Sequence, residues 1–439
     1  MFHKPRGVRR GGGRRFRAFA VPLALALALP LSACGGGSSS DGKIHLTMTW
    51  WGSDSRHTTT KKLITLYEKS HPNVVISPTY TGWDGYWDRL ATTVAGGNTP
   101  DIIQQDFRYV HEYADRGALA DLRQFMPSVI NDSQLDKSVI PTGQLDGKTY
   151  AIPTGVNAFA LVVNPKLVKQ AGVTLPDDKT WSWDDFVNTA AKITQATKNA
   201  VHGTENMGYY DGGLQVFARQ HGEDLFTADG KPGMSPQTLT AWFNLIVKMR
   251  DSKAEPPASV THETWSAGID QSLLATSKGA SSFWWTNQLA ALSADSKAPL
   301  ELLRMPGESQ AAKPGTFLKP AMFWSLSGRS KHPKEAAQFV NFLINDPEAA
   351  KLQLSDRGLP INTQLRAQIT GELGPADQKS ASFVKEIAPG LAPPPPLPPK
   401  GAGDVEKILS RINEEVLFNR VSVPKAVQEY LDQVKSATS

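Results

Sequence analysis

From residue 43 to residue 50, Ile44, Leu46, Met48 and Trp50 alternate with polar positions, a period of two that predicts a strand with one buried face. The period then changes. Across residues 58–70, Leu63, Ile64, Leu66 and Tyr67 recur at helical spacing, and His71-Pro72-Asn73 stops the helix. Residues 74–77 predict a second strand, residues 86–94 a helix ended by Gly96-Gly97-Asn98, and residues 100–103 a third strand. Strand and helix in strict alternation predict an α/β sandwich with a largely parallel sheet. Beyond Gly147 the alternation resumes with a strand over 158–163, a helix over 165–171 and a helix opening at Trp183. Amphipathic helices follow over 236–250, 333–345, 347–354, 405–417 and 424–435. The run APPPPLPPK, 392–400, lacks backbone donors and reads as a rigid surface connector.

A different pattern opens the chain. Residues 1–17 carry Lys4, Arg6, Arg9, Arg10, Arg14, Arg15 and Arg17 without an acid, and residues 18–31 are apolar. That apolar run is shorter than the roughly 20 residues a spanning helix needs, which marks an export signal and not a membrane anchor. Leu31-Ser32-Ala33-Cys34 resembles a bacterial lipobox, so residues 1–33 are expected to be a removed signal peptide and Cys34 the site of lipid attachment. Gly35 onward is Gly/Ser-rich, and 34–43 form a flexible tether. Cys34 is the sole cysteine, which excludes intramolecular disulfides and thiolate metal clusters. Arg9-Arg10 and Arg14-Arg15 leave the export route, Sec or Tat, open.

The formal net charge of +5 belongs to the signal: without its seven basic residues the remainder carries −2. No electrostatic case for nucleic acid remains. About 400 residues exceed one hydrophobic core and predict two lobes.

Several strings, in order, resemble the extracellular solute-binding proteins of ABC importers, in the sugar-binding branch typified by maltose-binding protein. They are TPDIIQQD (99–106), YADRGALADL (113–122), DGKTYAIPTGVNAFALVVNPKLVKQAG (146–172), TWSWDDF (180–186), SKHPKEAAQFVNFLINDPEAA (330–350) and GLPIN (358–362), after the lipobox and tether. The resemblance implies a two-lobed periplasmic-binding-protein-like α/β fold with a ligand cleft and a hinge crossed three times, near 154–158, 302–306 and 357–360. Residues 44–156 and 303–356 would form the N-terminal lobe, and residues 157–302 and 357–439 the C-terminal lobe.

A sugar presents apolar C–H faces and hydroxyl edges, so its site needs flat aromatics beside planar polar groups. Tryptophans cluster suggestively: Trp50-Trp51 end the first strand, Trp83 and Trp87 bracket Tyr86, Trp284-Trp285 precede Thr-Asn-Gln, and Trp324 follows Phe323. By position, the resemblance implies ligand contacts from Trp51, Gln105, Asp106 and Asn157, from Tyr210 and Asp211 in the turn after Met207-Gly208, and from Trp284, Trp285 and Trp324. Trp181 and Trp183 read as packing at a helix entry. Arg56, Arg108 and Lys278, if they face the site, would suit an acidic sugar such as a uronate.

The rival class is a secreted polysaccharide-active enzyme, which needs two carboxylates flanking the scissile bond. The paired acids Asp184-Asp185 and Glu223-Asp224 fall at helix starts or turns, where capping is their usual role. No GxSxG, HExxH, P-loop or EF-hand pattern is present. The expected protein is therefore a binding protein without catalytic residues, cofactor or metal. It would act as a monomer, lipid-anchored on the extracytoplasmic face of the cell membrane, delivering a carbohydrate to the transmembrane subunits of an ABC permease.

Overall fold

The opening alternation becomes the strand Ile44–Trp51, which pairs in parallel with Val74–Thr81 on one side and Ile102–Gln105 on the other. Leu46, Met48 and Trp50 are fully buried on one face of it, while Trp51 joins Ile103 and Phe323 in a separate cluster. The intervening helices are Asp54–Ser70 and Trp83–Ala95. The first begins earlier than its apolar period because Ser53 caps it, its side chain accepting from the Arg56 N–H, and the first turn is polar. Phe323–Leu326 and Ile152–Pro153 complete a five-stranded sheet in antiparallel sense.

The structure, a computed structural model, describes residues 42–439. The signal, Cys34 and nearly all of the tether lie outside the described residues. No helix among the described residues is long and apolar enough to cross a membrane.

A second sheet is antiparallel throughout, with Phe159–Val163 between Ser281–Trp285 and Glu301–Leu303. Its core gathers Phe159, Phe186, Leu214, Phe217, Trp242, Phe243 and Phe283, closed by the helices Val405–Leu417 and Val423–Ala437. Between the two layers runs a small ladder in which Gly155–Asn157 lies between Lys319–Pro320 and Leu359–Pro360. Gly155 is required there: a Cβ on it would lie 2.5 Å from the Arg357 carbonyl oxygen and 2.7 Å from that of Leu359.

The ladder comprises Gly155–Asn157, Lys319–Pro320 and Leu359–Pro360, and the stretch 302–306 is not part of it. Residues 304–317, assigned by resemblance to the first lobe, bond instead to the second: the Arg304 N–H donates to Asp178, the Gly307 N–H to the Trp181 carbonyl, and Arg219 Nε to the Gly315 carbonyl. Met305 and Phe317 are buried in the second core. Helix Pro375–Ile387 sits behind the ladder. Its Phe383 and Val384 enter the first core, while Ser380 donates to the Thr286 carbonyl of the second lobe.

The proline run is not a surface connector. Pro395, Leu397, Pro398 and Pro399 are buried, and two of its carbonyls are satisfied, Pro393 by Arg219 Nη2 and Pro398 by His111 Nδ1. Proline residues have no N–H to leave unpaired, so such a run enters the interior at low polar cost.

Candidate functional site

The carboxyl ends of strands in both sheets meet at the ladder, where open α/β sheets place their ligands. From the first lobe, Ile44–Trp51 ends on Trp51, and Ile102–Gln105 runs into Asp106, Phe107 and Arg108. Trp83 begins the next helix, is 37% exposed, and packs edge-on against Trp51 with ring centroids 5.1 Å apart. From the second lobe come Trp284 and Trp285 at the end of Ser281–Trp285, Tyr210 and Asp211 at the start of the helix Asp211–Gln220, and Glu406 at the start of Val405–Leu417. The Gly212-Gly213 pair hides the Asp211–Gln220 helix from propensity, yet Gly212 is needed: a Cβ there would lie 2.9 Å from the Trp285 ring.

Two hollows open between these groups. The larger, about 640 Å³, has Trp83 on the first-lobe side and Tyr209, Tyr210, Trp265 and Trp284 on the other, with Glu205, Gln288 and Glu406 among them. Tyr209 stacks on Trp265 at 4.8 Å, and Tyr210 meets Trp265 and Trp284 edge-on at 4.6 and 5.3 Å. The Tyr209 hydroxyl and Trp284 Nε1 are buried without a hydrogen-bond partner. Glu205 is spoken for: its oxygens accept from the Leu273 and Leu274 N–H groups and from the Ser282 hydroxyl. Burial nevertheless raises its carboxyl above the usual range.

The smaller hollow, about 50 Å³, is lined by Arg108, Asp211, Gly212, Trp285, Phe317 and Lys319, with the proline run as one wall. Arg108 Nη2 lies 3.3 Å from Asp211 Oδ1 and 2.5 Å from Glu406 Oε2, bridging the lobes. Lys319 Nζ stands 5.0 Å from the centroid of the Trp285 ring and 3.9 Å from Asp106 Oδ2. Burial pushes the Asp211 carboxyl up, but the charges of Arg108 and Lys319 outweigh it and hold it below its ordinary value. Glu406 goes the other way, to about 7, through burial and then the Asp211 charge, against the pull of Arg108.

The residues anticipated from sequence divide accordingly. Tyr210 and Trp284 line the larger hollow, and Asp211 and Trp285 the smaller, with Asp106 beside the latter through Lys319. Asp106 also accepts from the Arg108 N–H at 3.0 Å, a turn-stabilising contact. Asn157 is buried in the hinge ladder opposite Lys319. Trp51 is buried behind Trp83. Gln105 is fully buried, and neither its amide oxygen nor its nitrogen has a partner. Trp324 is not brought to the cleft: its strand is flanked on both sides, it is 1% exposed in the first core, and the Arg357 guanidinium covers its ring.

The bases considered for a uronate are elsewhere or engaged. Arg56 pairs with Asp356, Arg108 with Asp211 and Glu406, and Lys278 is exposed away from both hollows. The paired acids considered for hydrolysis are held by neighbours: Asp185 closes a capping box with Ser182, Asp184 pairs with Lys248, Glu223 accepts from the Ser235 N–H, and Asp224 pairs with Arg219. Trp265, Glu205 and Glu406 were not anticipated from the sequence. A tryptophan alone in the polar string THETWSA was the available signal for the first. A groove of about 830 Å³ behind the hinge, lined by Arg366, Lys385, Pro393 and Pro394, contains no aromatic side chain to stack a ring.

Comparison with known proteins adds three likenesses. An uncharacterized lipoprotein of Streptomyces antibioticus is 26% identical over 78% of this chain and 76% of its own. The diacetylchitobiose binding protein DasA of Streptomyces coelicolor is 24% identical over 82% of this chain and 85% of its own. A solved extracellular solute-binding protein, family 1, from Alicyclobacillus acidocaldarius superposes with a TM-score of 0.72 at 26% identity, covering 90% of this chain and 99% of the other. The family model described as bacterial extracellular solute-binding protein matches residues 62–376, most of the chain, and with the two-lobed fold and its cleft this chain belongs to that family.

Proposed function

We propose that this chain is the receptor of an ABC importer, that it captures an extracellular carbohydrate in the hollow between Trp83 and the Tyr209–Trp284 wall, and that it hands it to the permease. The carrying observation is the makeup of that hollow. Five aromatic side chains from both lobes supply flat apolar surface, and Trp284 Nε1, Tyr209 OH, Gln288 and Glu406 supply the polar edge that hydroxyls need. The name of the Streptomyces coelicolor relative, a diacetylchitobiose binding protein, agrees with this ligand class. Trp51, Gln105, Asp106 and Asn157 support the cleft from behind. Asp211 and Trp285 fix its closed edge.

The protein acts as a monomer without catalytic residues, held to the extracytoplasmic face of the membrane by lipid on Cys34. Its lobes comprise residues 44–154 with 321–356, and 158–317 with 388–439, joined at the hinge ladder. Calorimetry against a panel of di- to tetrasaccharides tests the assignment: at least one should bind with affinity in the micromolar range or tighter and be recovered intact. Cleaved product from purified protein would replace the receptor by an enzyme.

A further inference from the structure

We infer that the cleft selects a sugar bearing a protonated amine, with Glu406 as the counter-charge and the aromatic wall as the cage around it. This rests on the carbohydrate reading above and narrows it.

The described residues lining the larger hollow include two carboxylates, Glu205 and Glu406, and no lysine, arginine or histidine. The nearest bases do not supply a compensating charge. Arg108 and Lys319 are the two cations of the adjoining cluster, and they face three carboxylates, Asp106, Asp211 and Glu406. One negative charge is left over. Of the three acids only Glu406 also lines the larger hollow, so the surplus is presented there. Burial first, and then the Asp211 charge, raises Glu406 to about 7, so the surplus is fully present only above that pH.

The remaining walls suit a cation. Aromatic faces attract an ammonium through their quadrupole, most strongly where water is excluded. Tyr210 and Trp265 stand at 85° to each other, and Tyr210 and Trp284 at 67°, so ring faces and edges meet at a corner in place of a flat platform. The unpartnered Trp284 Nε1 and Tyr209 hydroxyl provide neutral donors for hydroxyl oxygens of the same ligand. A uronate would add a fourth carboxylate to a cluster already short of bases, and a neutral sugar would leave the surplus uncompensated.

The test is calorimetry at pH 7.5 with four probes of matched length where they are sugars: a glucosamine oligomer, its N-acetylated form, an oligogalacturonate, and choline. Wild type and Glu406→Gln are compared. The glucosamine oligomer should bind at least tenfold tighter than the N-acetylated form, and Glu406→Gln should erase that margin, the ratio of the two affinities being the readout. Because acetylation changes the ligand and not the protein, the wild-type comparison stands even if the variant folds poorly. Equal or tighter binding of the N-acetylated or galacturonate oligomer overturns the charge inference and leaves the carbohydrate reading intact. Choline binding as tightly as the glucosamine oligomer supports the cation and overturns the carbohydrate. Binding of none of the four overturns the charge inference and leaves the carbohydrate reading to the wider saccharide panel.

Discussion

Arg108 and Asp211 stand 103 residues apart in the chain and 3.3 Å apart across the cleft, one on the turn after a first-lobe strand and the other at the head of a second-lobe helix. Glu406 shares the same guanidinium nitrogen. These groups tie the lobes together, and removing the shared cation leaves two partly buried carboxylates facing one another. Arg108→Ala should therefore enlarge the ligand-free protein in small-angle scattering, with the difference shrinking when a ligand bridges the lobes. Superimposable ligand-free profiles for variant and wild type would show that the ion pairs do not govern closure.

Trp265 and Trp324 make a matched pair of substitutions. Trp265 is partly exposed on the wall of the larger hollow, so Trp265→Ala should weaken sugar binding by about 2 kcal/mol, roughly thirtyfold, with little change in thermal stability. Trp324 is enclosed by two strands, and Trp324→Ala should cost about 3–5 kcal/mol of folding stability. Calorimetry and chemical denaturation on both variants check the contrast, and the reverse pattern would move the site to the first core.

The difference between these two residues marks what the sequence could reveal. Period two over Ile44–Trp51 and period 3.6 over Asp54–Ser70 reflect burial decided by near neighbours, and so they were legible, as was the helix Val405–Leu417 at its full length. Trp324 and Trp285 look alike in sequence, each following an aromatic residue. What separates them is that one strand has partners on both sides and the other ends at the cleft, and pairing of that kind is set by residues far along the chain. Glu406 was invisible for the same reason. Its role depends on Arg108, and no local pattern joins them.

Glu255 gives a pH dependence with a definite sign. Burial pushes its carboxyl from an ordinary 4.5 up to about 8, against the hydrogen bonds from Asn206 and the charge of Arg250. Between those two values the folded chain keeps a proton that the unfolded chain releases, so stability is greatest at the acid end and falls as pH rises through the window. Glu406, raised to about 7, adds to the same trend. The melting temperature should drop between pH 5.5 and 8 by linkage, and Glu255→Gln should reduce that slope. An unchanged slope in the variant would remove Glu255 as its source.

Gly155→Ala should be among the most damaging small substitutions. Its added methyl group would meet the backbone of Arg357 and Leu359, which the ladder cannot shift without losing its pairing. A loss of about 1–3 kcal/mol is expected, with ligand affinity reduced as well. Denaturant midpoints decide this, and wild-type stability would mean that the ladder is more pliant than its contacts imply.

Cys34→Ala addresses the anchor. The folded protein should move from the membrane pellet to the wash fraction, with unaltered ligand affinity. Retention of the variant on washed membranes would require another attachment.

Three backbone crossings laid side by side in one ladder make a mechanical joint. A single connecting strand would let one lobe swing, slide and twist against the other. A ladder of Lys319–Pro320, Gly155–Asn157 and Leu359–Pro360, tied by hydrogen bonds and too tight at Gly155 for even a methyl group, leaves chiefly one angle free. Occupancy of the cleft is thereby converted into a rotation, so a partner that touches both lobes far from the ligand can sense whether the cleft is filled without ever contacting what fills it.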